Sequence, residues 1–159
     1  MKHENTALTA FRKYGDLVLR TAYCCTGNYS EAEDITQDVF LALHENHTEF
    51  RDEEHMKAYL LRAAVNRGKN YRKSWRQNKR VEMEDVPELS HEETAYQDSG
   101  LKALVLSLPK QYAAVLYLHY YEGYTIKEIA AILGKRENTI GSQLRRGREK
   151  LRLELEGEA

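Results

Sequence analysis

Apolar residues along this chain recur at helical spacing, in blocks set apart by short polar punctuation. From Asn5 to Cys25, the residues Leu8, Phe11, Leu17, Val18 and Tyr23 predict a first amphipathic helix. Thr26-Gly27-Asn28 ends it, because Gly or Asn enters the left-handed conformation that terminates a helix. Ser30 with Glu33 three residues later reads as a capping box. It opens a second helix with Ile35, Val39, Ala42 and Leu43 on its inner stripe. Acids at Asp52, Glu53 and Glu54 suit the positive end of a third helix. That helix buries Met56, Tyr59, Leu60, Ala63 and Ala64, then continues as a basic stretch with Tyr71 and Trp75 interleaved.

Periodicity fades over residues 79–98, which contain Pro87 and predict an extended linker. It resumes with Leu101, Leu104, Val105 and Leu108 on one short helix, and Pro109 starts the next. Tyr112, Val115, Leu116 and the stretch from Tyr117 to Tyr121 supply that helix's apolar face, and the tyrosines read as core and turn material. Glu122-Gly123-Tyr124 is a turn. Thr125 with Glu128 forms a second capping box, opening a short helix with Ile129, Ala130 and Leu133 inward. Gly134 closes it. Within three residues a last helix begins, with Ile140, Leu144 and Leu151 inside and Arg145, Arg146, Arg148, Lys150 and Arg152 outside. Two helices on a tight glycine turn, the second one basic, make the helix-turn-helix pattern. With two prolines and few β-branched runs in 159 residues, the chain reads as all-α.

Charge sharpens this picture. The formal net charge of −1 conceals strong segregation. Residues 28–56 sum to −8, residues 57–80 to +9 with no acid, residues 81–100 to −7 with no base, and residues 101–153 to +6. A solvated helix ordinarily mixes its signs, since like charges one turn apart repel. Two basic blocks flanking an acidic connector point to two contacts with one nucleic acid. No run nears the roughly 20 apolar residues of a membrane span, and the polar opening predicts no secretory signal. Adjacent Cys24 and Cys25 suit packing on a helix better than a disulfide or a metal site. Cytoplasm is the default compartment. No phosphate-binding loop, nucleophile elbow or zinc-protease motif occurs. His44, His47 and His55 read as exposed and His119 as packed, so no catalytic residue, metal or cofactor is expected.

Three stretches together resemble a known family, the extracytoplasmic-function type of the sigma-70 family of RNA polymerase sigma factors. Residues 32–40 (AEDITQDVF) are similar to its polymerase-clamp helix, and residues 58–66 (AYLLRAAVN) with the basic run after them to its −10 promoter helix. The segment from Leu108-Pro109 through Glu128, Leu133-Gly134 and Ile140 to Arg146 is similar to its −35 helix-turn-helix. The resemblance implies two small helical domains, residues 1–80 and 100–159, joined by an acidic linker over 81–99. It implies a chain that is no enzyme but gives core RNA polymerase its promoter specificity. Clamp, flap, promoter DNA and an anti-sigma factor would be its partners, with no membrane insertion.

On this reading Glu33, Asp34, Gln37 and Asp38 meet cationic side chains of the clamp. Asn66, Asn70, Tyr71 and Trp75 meet unstacked −10 bases, while Arg67, Lys69, Arg72, Lys73 and Arg76 neutralise phosphates. In the last helix Glu137, Asn138, Ser142 and Gln143 are placed to read bases, with Arg136 and Thr139 beside them. Arg145, Arg146 and Arg148 are phosphate anchors. Four positions depart from the family pattern. Asn70 stands where an acid is common, Arg136 where a capping Ser is usual, Gly141 replaces a basic residue, and Gly147 weakens the helix interior. The departure at Asn70 bears on strand opening at the −10 element, and those at Arg136, Gly141 and Gly147 predict a weak or unusual −35 preference. Two rival readings are a self-sufficient helix-turn-helix regulator, which would need a dimerisation element, and a small metal-dependent nucleic-acid enzyme.

Overall fold

The computed structural model describes residues 6–46, 49–78, 102, 105 and 108–157, with backbone alone for 75–78 and Leu155. The linker, Leu101, Leu104, His47, and the side chains of Trp75 and Arg76 lie outside the described residues. All regular structure among the described residues is helical. The first half holds α1 (Thr6–Thr26), α2 (Tyr29–Asn46) and α3 (Glu53–Asn78), and α1 packs against both of the others. The second half holds α4 (Lys110–Leu116), a π-helical turn at Tyr117–Tyr121, α5 (Ile126–Leu133) and α6 (Glu137–Gly157). Both α4 and α5 lie on α6.

Local chemistry explains most of the boundaries. Gly27 takes φ +70° and donates to Tyr23 O at 2.7 Å, which closes α1. The cap of α2 is Asn28 rather than Ser30: Asn28 Oδ1 accepts from Glu31 N at 2.9 Å, and Asn28 O from Ala32 N. Two good capping residues stand two positions apart, and the glycine turn delivers the first of them to the helix start. Asp52 caps α3, its Oδ1 accepting from His55 N at 2.8 Å. Thr125 and Glu128 make the reciprocal capping box of α5, and Gly134, at φ 68°, closes it. Pro109 sits at the N-cap of α4 rather than inside its first turn.

Burial corrects several expectations. In α1 the buried stripe is Ala10, Tyr14, Val18, Ala22 and Cys25, whereas Leu8 and Phe11 are about half exposed. Phe11 instead lies edge-on against Phe40, 5.3 Å away. In α3, Leu61 and Val65 join Leu60 and Ala64 in the core. In α5, Ile132 is buried more deeply than Leu133. Among the clustered tyrosines only Tyr117 is core; Tyr120 and Tyr121 are exposed. The π turn, closed by Glu122 N donating to Tyr117 O, inserts an extra residue and swings the later rings outward. Cys24 and Cys25 are free and buried.

The halves meet along α1–α4 and α3–α5, and their buried side chains run together in one cluster. Arg62 of α3 donates from Nε to Ile132 O and from Nη2 to Ala131 O, each at 2.7 Å. Those carbonyls end α5, where unpaired acceptors and the negative end of the helix dipole favour a cation. Lys57 Nζ stands 5.6 Å from the centre of the Tyr124 ring. Arg20 hydrogen-bonds Tyr117, whose hydroxyl also donates to Glu122 at 2.5 Å.

Candidate nucleic-acid interface

Three surfaces gather the residues singled out by sequence. On α2, Asp34, Gln37 and Asp38 are exposed and Glu33 is half-buried, opposite the core stripe of Ile35, Val39 and Leu43. Glu33, Thr36 and Gln37 border a groove of about 310 Å³ with Phe11 and Leu19 of α1. Arg12 and Asp16 of α1 line the same groove. Partial burial, then the neighbouring Asp34 and Asp38, push the Glu31 carboxyl above its usual range. The face is acidic, with apolar rings at its edge.

On α3, Asn66, Lys69, Asn70 and Lys73 are exposed at one-turn spacing and form a polar, cationic stripe. Arg67, Tyr71 and Arg72 are half-buried at its margin. Arg72 Nη1 donates to Cys25 O at 2.8 Å, which ties its guanidinium to the end of α1. Tyr71 hydrogen-bonds Asn28, and burial raises its phenol pKa. The helix runs straight across the packed first half into this stripe because Gly68 lets it approach α1. A Cβ at Gly68 would stand 2.5 Å from Cys25 Cβ.

On α6, Glu137, Asn138 and Thr139 are exposed at the first turn, just after exposed Arg136, whose carbonyl accepts from Ile140 N at 3.1 Å. Ser142 and Gln143 are half-buried, and Gln143 faces the junction with α3. Arg145 and Arg146 are exposed. Arg148 donates to Tyr120 Oη at 3.1 Å, so it is held over the second half. Gly141 opens onto empty space, whereas Gly147 is a contact point: a Cβ there would stand 2.4 Å from Leu116 Cδ1. Read from sequence as a weakness of the helix, Gly147 is where α4 presses closest on α6.

Of these positions, Lys69 and Arg72 of α3 and Gln143 of α6 line one cavity at the junction. Sequence reasoning missed Arg62, Lys110 and Lys135, which shape that junction. Their partners are backbone carbonyls or distant cations, which leave no spacing signal. Among the described residues no group of three His, Cys, Asp or Glu side chains forms a metal cluster. No helix among them is long and apolar enough to cross a membrane.

Comparison with known proteins places the chain. Residues 10–81 match the family model for sigma-70 region 2, and residues 100–151 the model for sigma-70 region 4. The ECF RNA polymerase sigma factor SigE of Mycolicibacterium smegmatis is 31% identical over 153 residues. That match spans 89% of this chain but 58% of the relative's length. The RNA polymerase sigma-E factor of Streptomyces coelicolor is 30% identical over 146 residues, 88% of this chain and 80% of that one. Among solved structures, the sigma factor RpoE of Bartonella quintana, in complex with the anti-sigma factor NepR, superposes with a TM-score of 0.65. It is 21% identical, over 92% of this chain and 96% of that chain. CnrH, in complex with the cytosolic domain of CnrY, gives 0.69 at 18% identity, over 96% and 89%. At these identities the superpositions establish the shared helical fold.

Proposed function

The chain belongs to the sigma-70 family of RNA polymerase sigma factors, in its extracytoplasmic-function type, and from that premise we propose that it binds core RNA polymerase and directs it to particular promoters. The observation that supports this best is α3, one continuous helix that emerges from the packed first half as an exposed stripe of Asn66, Lys69, Asn70 and Lys73, in a segment of +9 without a single acid. A helix so charged is relieved by a polyanion.

The chain performs no chemistry of its own; the polymerase supplies it in the cytoplasm. Asp34, Gln37 and Asp38 form charge-assisted hydrogen bonds with clamp arginines, and Glu33 borders the same face. At the −10 element the amides of Asn66 and Asn70 bond exposed base edges, with Tyr71 and Trp75 offering rings on which bases stack. Arg67, Lys69, Arg72, Lys73 and Arg76 neutralise the strand. At the −35 element the first turn of α6, Arg136 to Thr139, enters the major groove with Ser142 and Gln143 behind it. Arg145, Arg146 and Arg148 fix the register on phosphates. The second half also contacts the flap, and an anti-sigma factor covers the chain when it is idle, as NepR is bound to the Bartonella relative.

Co-purification with bacterial core RNA polymerase tests this directly. Wild-type protein is expected to associate, and an Asp34→Ala/Gln37→Ala double variant to associate at least tenfold more weakly. Failure of the wild type to bind would leave a helix-turn-helix protein without a polymerase and would end this reading.

A further inference from the structure

The junction between the halves holds a concentration of positive charge, of which Lys110 and Lys135 have no part in the promoter reading. A cavity of about 160 Å³ opens there, floored by Cys25, Val65, Ala114 and Val115. Four cations rim it. Lys69 and Arg72 come from α3, Lys110 from the start of α4, and Lys135 from the turn between α5 and α6. Among the described residues, no ion pair joins any of the four to a carboxylate. Gln143 adds an uncharged donor on the same wall. Two of the four have hydrogen-bonded partners that hold them in place: Arg72 on Cys25 O at 2.8 Å, and Lys110 on Val105 O at 3.2 Å. All of these partners are neutral carbonyls.

We propose that this junction is a binding site for a compact diphosphate group, whose oxygens bridge Lys69 and Arg72 of the first half to Lys110 and Lys135 of the second. The volume is well below the roughly 300–1,000 Å³ of pockets that take drug-sized ligands, so it suits a phosphate chain rather than a whole nucleoside. Four cations around a partly apolar floor concentrate positive field at the cavity, three of them, Arg72, Lys110 and Lys135, half-buried. Their mutual repulsion is already visible in the empty site. Burial first, then Arg72, lowers the Lys110 pKa, and burial followed by Lys69 and Arg72 lowers that of Lys135. A dianionic or more highly charged group converts that repulsion into charge-assisted bonding. Because the ligand touches both halves, it also fastens them together. It occupies Lys69 and Arg72 as well, which the promoter reading assigns to DNA phosphates, so diphosphate and −10 strand compete.

Isothermal titration of the full chain with inorganic pyrophosphate, without polymerase or DNA, tests the site independently of the promoter reading. Sodium chloride at the same ionic strength is the reference. Saturable one-to-one binding is expected. Lys110→Gln/Lys135→Gln should weaken it at least tenfold without lowering the Tm of the ligand-free protein, since two repelling charges are gone. Lys127→Gln/Lys150→Gln removes the same charge from exposed positions elsewhere and should bind as wild type does. Arg62→Met keeps all four cations but removes the two hydrogen bonds from α3 to the end of α5, and it should weaken binding too. A nucleoside triphosphate arm distinguishes the source: competition at higher affinity than pyrophosphate points to the phosphate chain of a nucleotide, and weaker or no competition points to the free ion. A response matched by sodium chloride, or binding unchanged in both the Lys110/Lys135 and the Arg62 variants, overturns the proposal.

Discussion

Two long basic helices dominate this molecule, and they solve the same problem differently. Helix α3 begins with Glu53 and Glu54 and then carries no acid to its end, whereas α6 interleaves its charges. In α6, Arg152 pairs with Glu149 at 2.5 Å and with Glu156 at 2.8 Å, both within one turn. Such exposed pairs add little stability, but they neutralise the helix along its own length. Each helix is also pinned near its middle by a glycine. Gly68 of α3 abuts Cys25, close to the backbone of α1, while Gly147 of α6 abuts the tip of the Leu116 side chain. The contrast teaches that one helix is seated against atoms close to a backbone and is electrostatically open. The other is seated mainly against a side-chain tip and balances its charge only near its end, leaving Arg145 and Arg146 exposed.

The seating difference can be broken by adding one methyl group at a time. Gly68→Ala forces a Cβ against Cys25, where α1 must shift, at about 1–3 kcal/mol. The gain in helix preference of about 1 kcal/mol offsets part of this. Up to about 2 kcal/mol remains, and the expected outcome is a Tm lower by up to about 8 °C at about 2–4 °C per kcal/mol. Gly147→Ala should lose less, because its closest contact is the far end of the Leu116 side chain, with Tyr112 Cβ next at 3.2 Å. Equal losses in the two thermal melts would show that α6 is seated as firmly as α3. Gly141→Ala meets nothing within 4 Å and should stabilise the protein by up to about 1 kcal/mol, read in denaturant.

The electrostatic difference is sharpened by salt. Binding of promoter DNA to the free chain should weaken steeply with salt, and Lys73→Gln should reduce the log–log slope by about 0.7–0.9, the value of one phosphate contact. Arg152→Gln should change that slope by less than half as much, since Glu149 and Glu156 already satisfy Arg152. The smallest effect concerns α2. Its Glu31 carboxyl has a folded-state pKa raised above the unfolded value, by burial first and then by Asp34 and Asp38. Stability from this group is therefore complete below the unfolded pKa and is lost as pH rises through the folded one. Glu31→Gln should raise Tm at pH 7 and leave it unchanged near pH 4, measured by calorimetry at the two pH values.

These helices also show what a sequence makes legible. Thr125 and Glu128, Gly27 and Gly134 act on neighbours within four residues, so their roles are written locally and appear in the structure as expected. The helices and most of the inner stripes of α2 and α6 followed from spacing alone, with Ala42 and Leu151 only half-buried. Asn28 was hidden by Ser30, because either can cap and only the path of the chain through Gly27 decides between them. Leu8 and Phe11 satisfied the helical period yet stayed half exposed, since the face that α1 buries is set by where α2 and α3 lie. Gly68 and Gly147 were unreadable for a related reason: a close approach is a property of two helices far apart in the chain. So too with Arg62, whose acceptors are carbonyls of Ala131 and Ile132, 69 and 70 residues away, and a carbonyl carries no residue identity. The candidate polar faces were legible as sets of residues, but the way α3 and α6 share one junction was not.

The vicinal thiols beneath α3 give the molecule a clock. Cys24 and Cys25 are sealed from solvent, and burial lifts the Cys25 thiol to about 11, so almost no thiolate exists to react while the helices stay together. An alkylating reagent at neutral pH reaches Cys24 only during moments when the helices covering it part, whereas Cys25 also lines the junction cavity. The rate of mass gain on an otherwise native sample therefore counts those openings, and bound partners that clamp the first half will slow it in proportion to how tightly they hold.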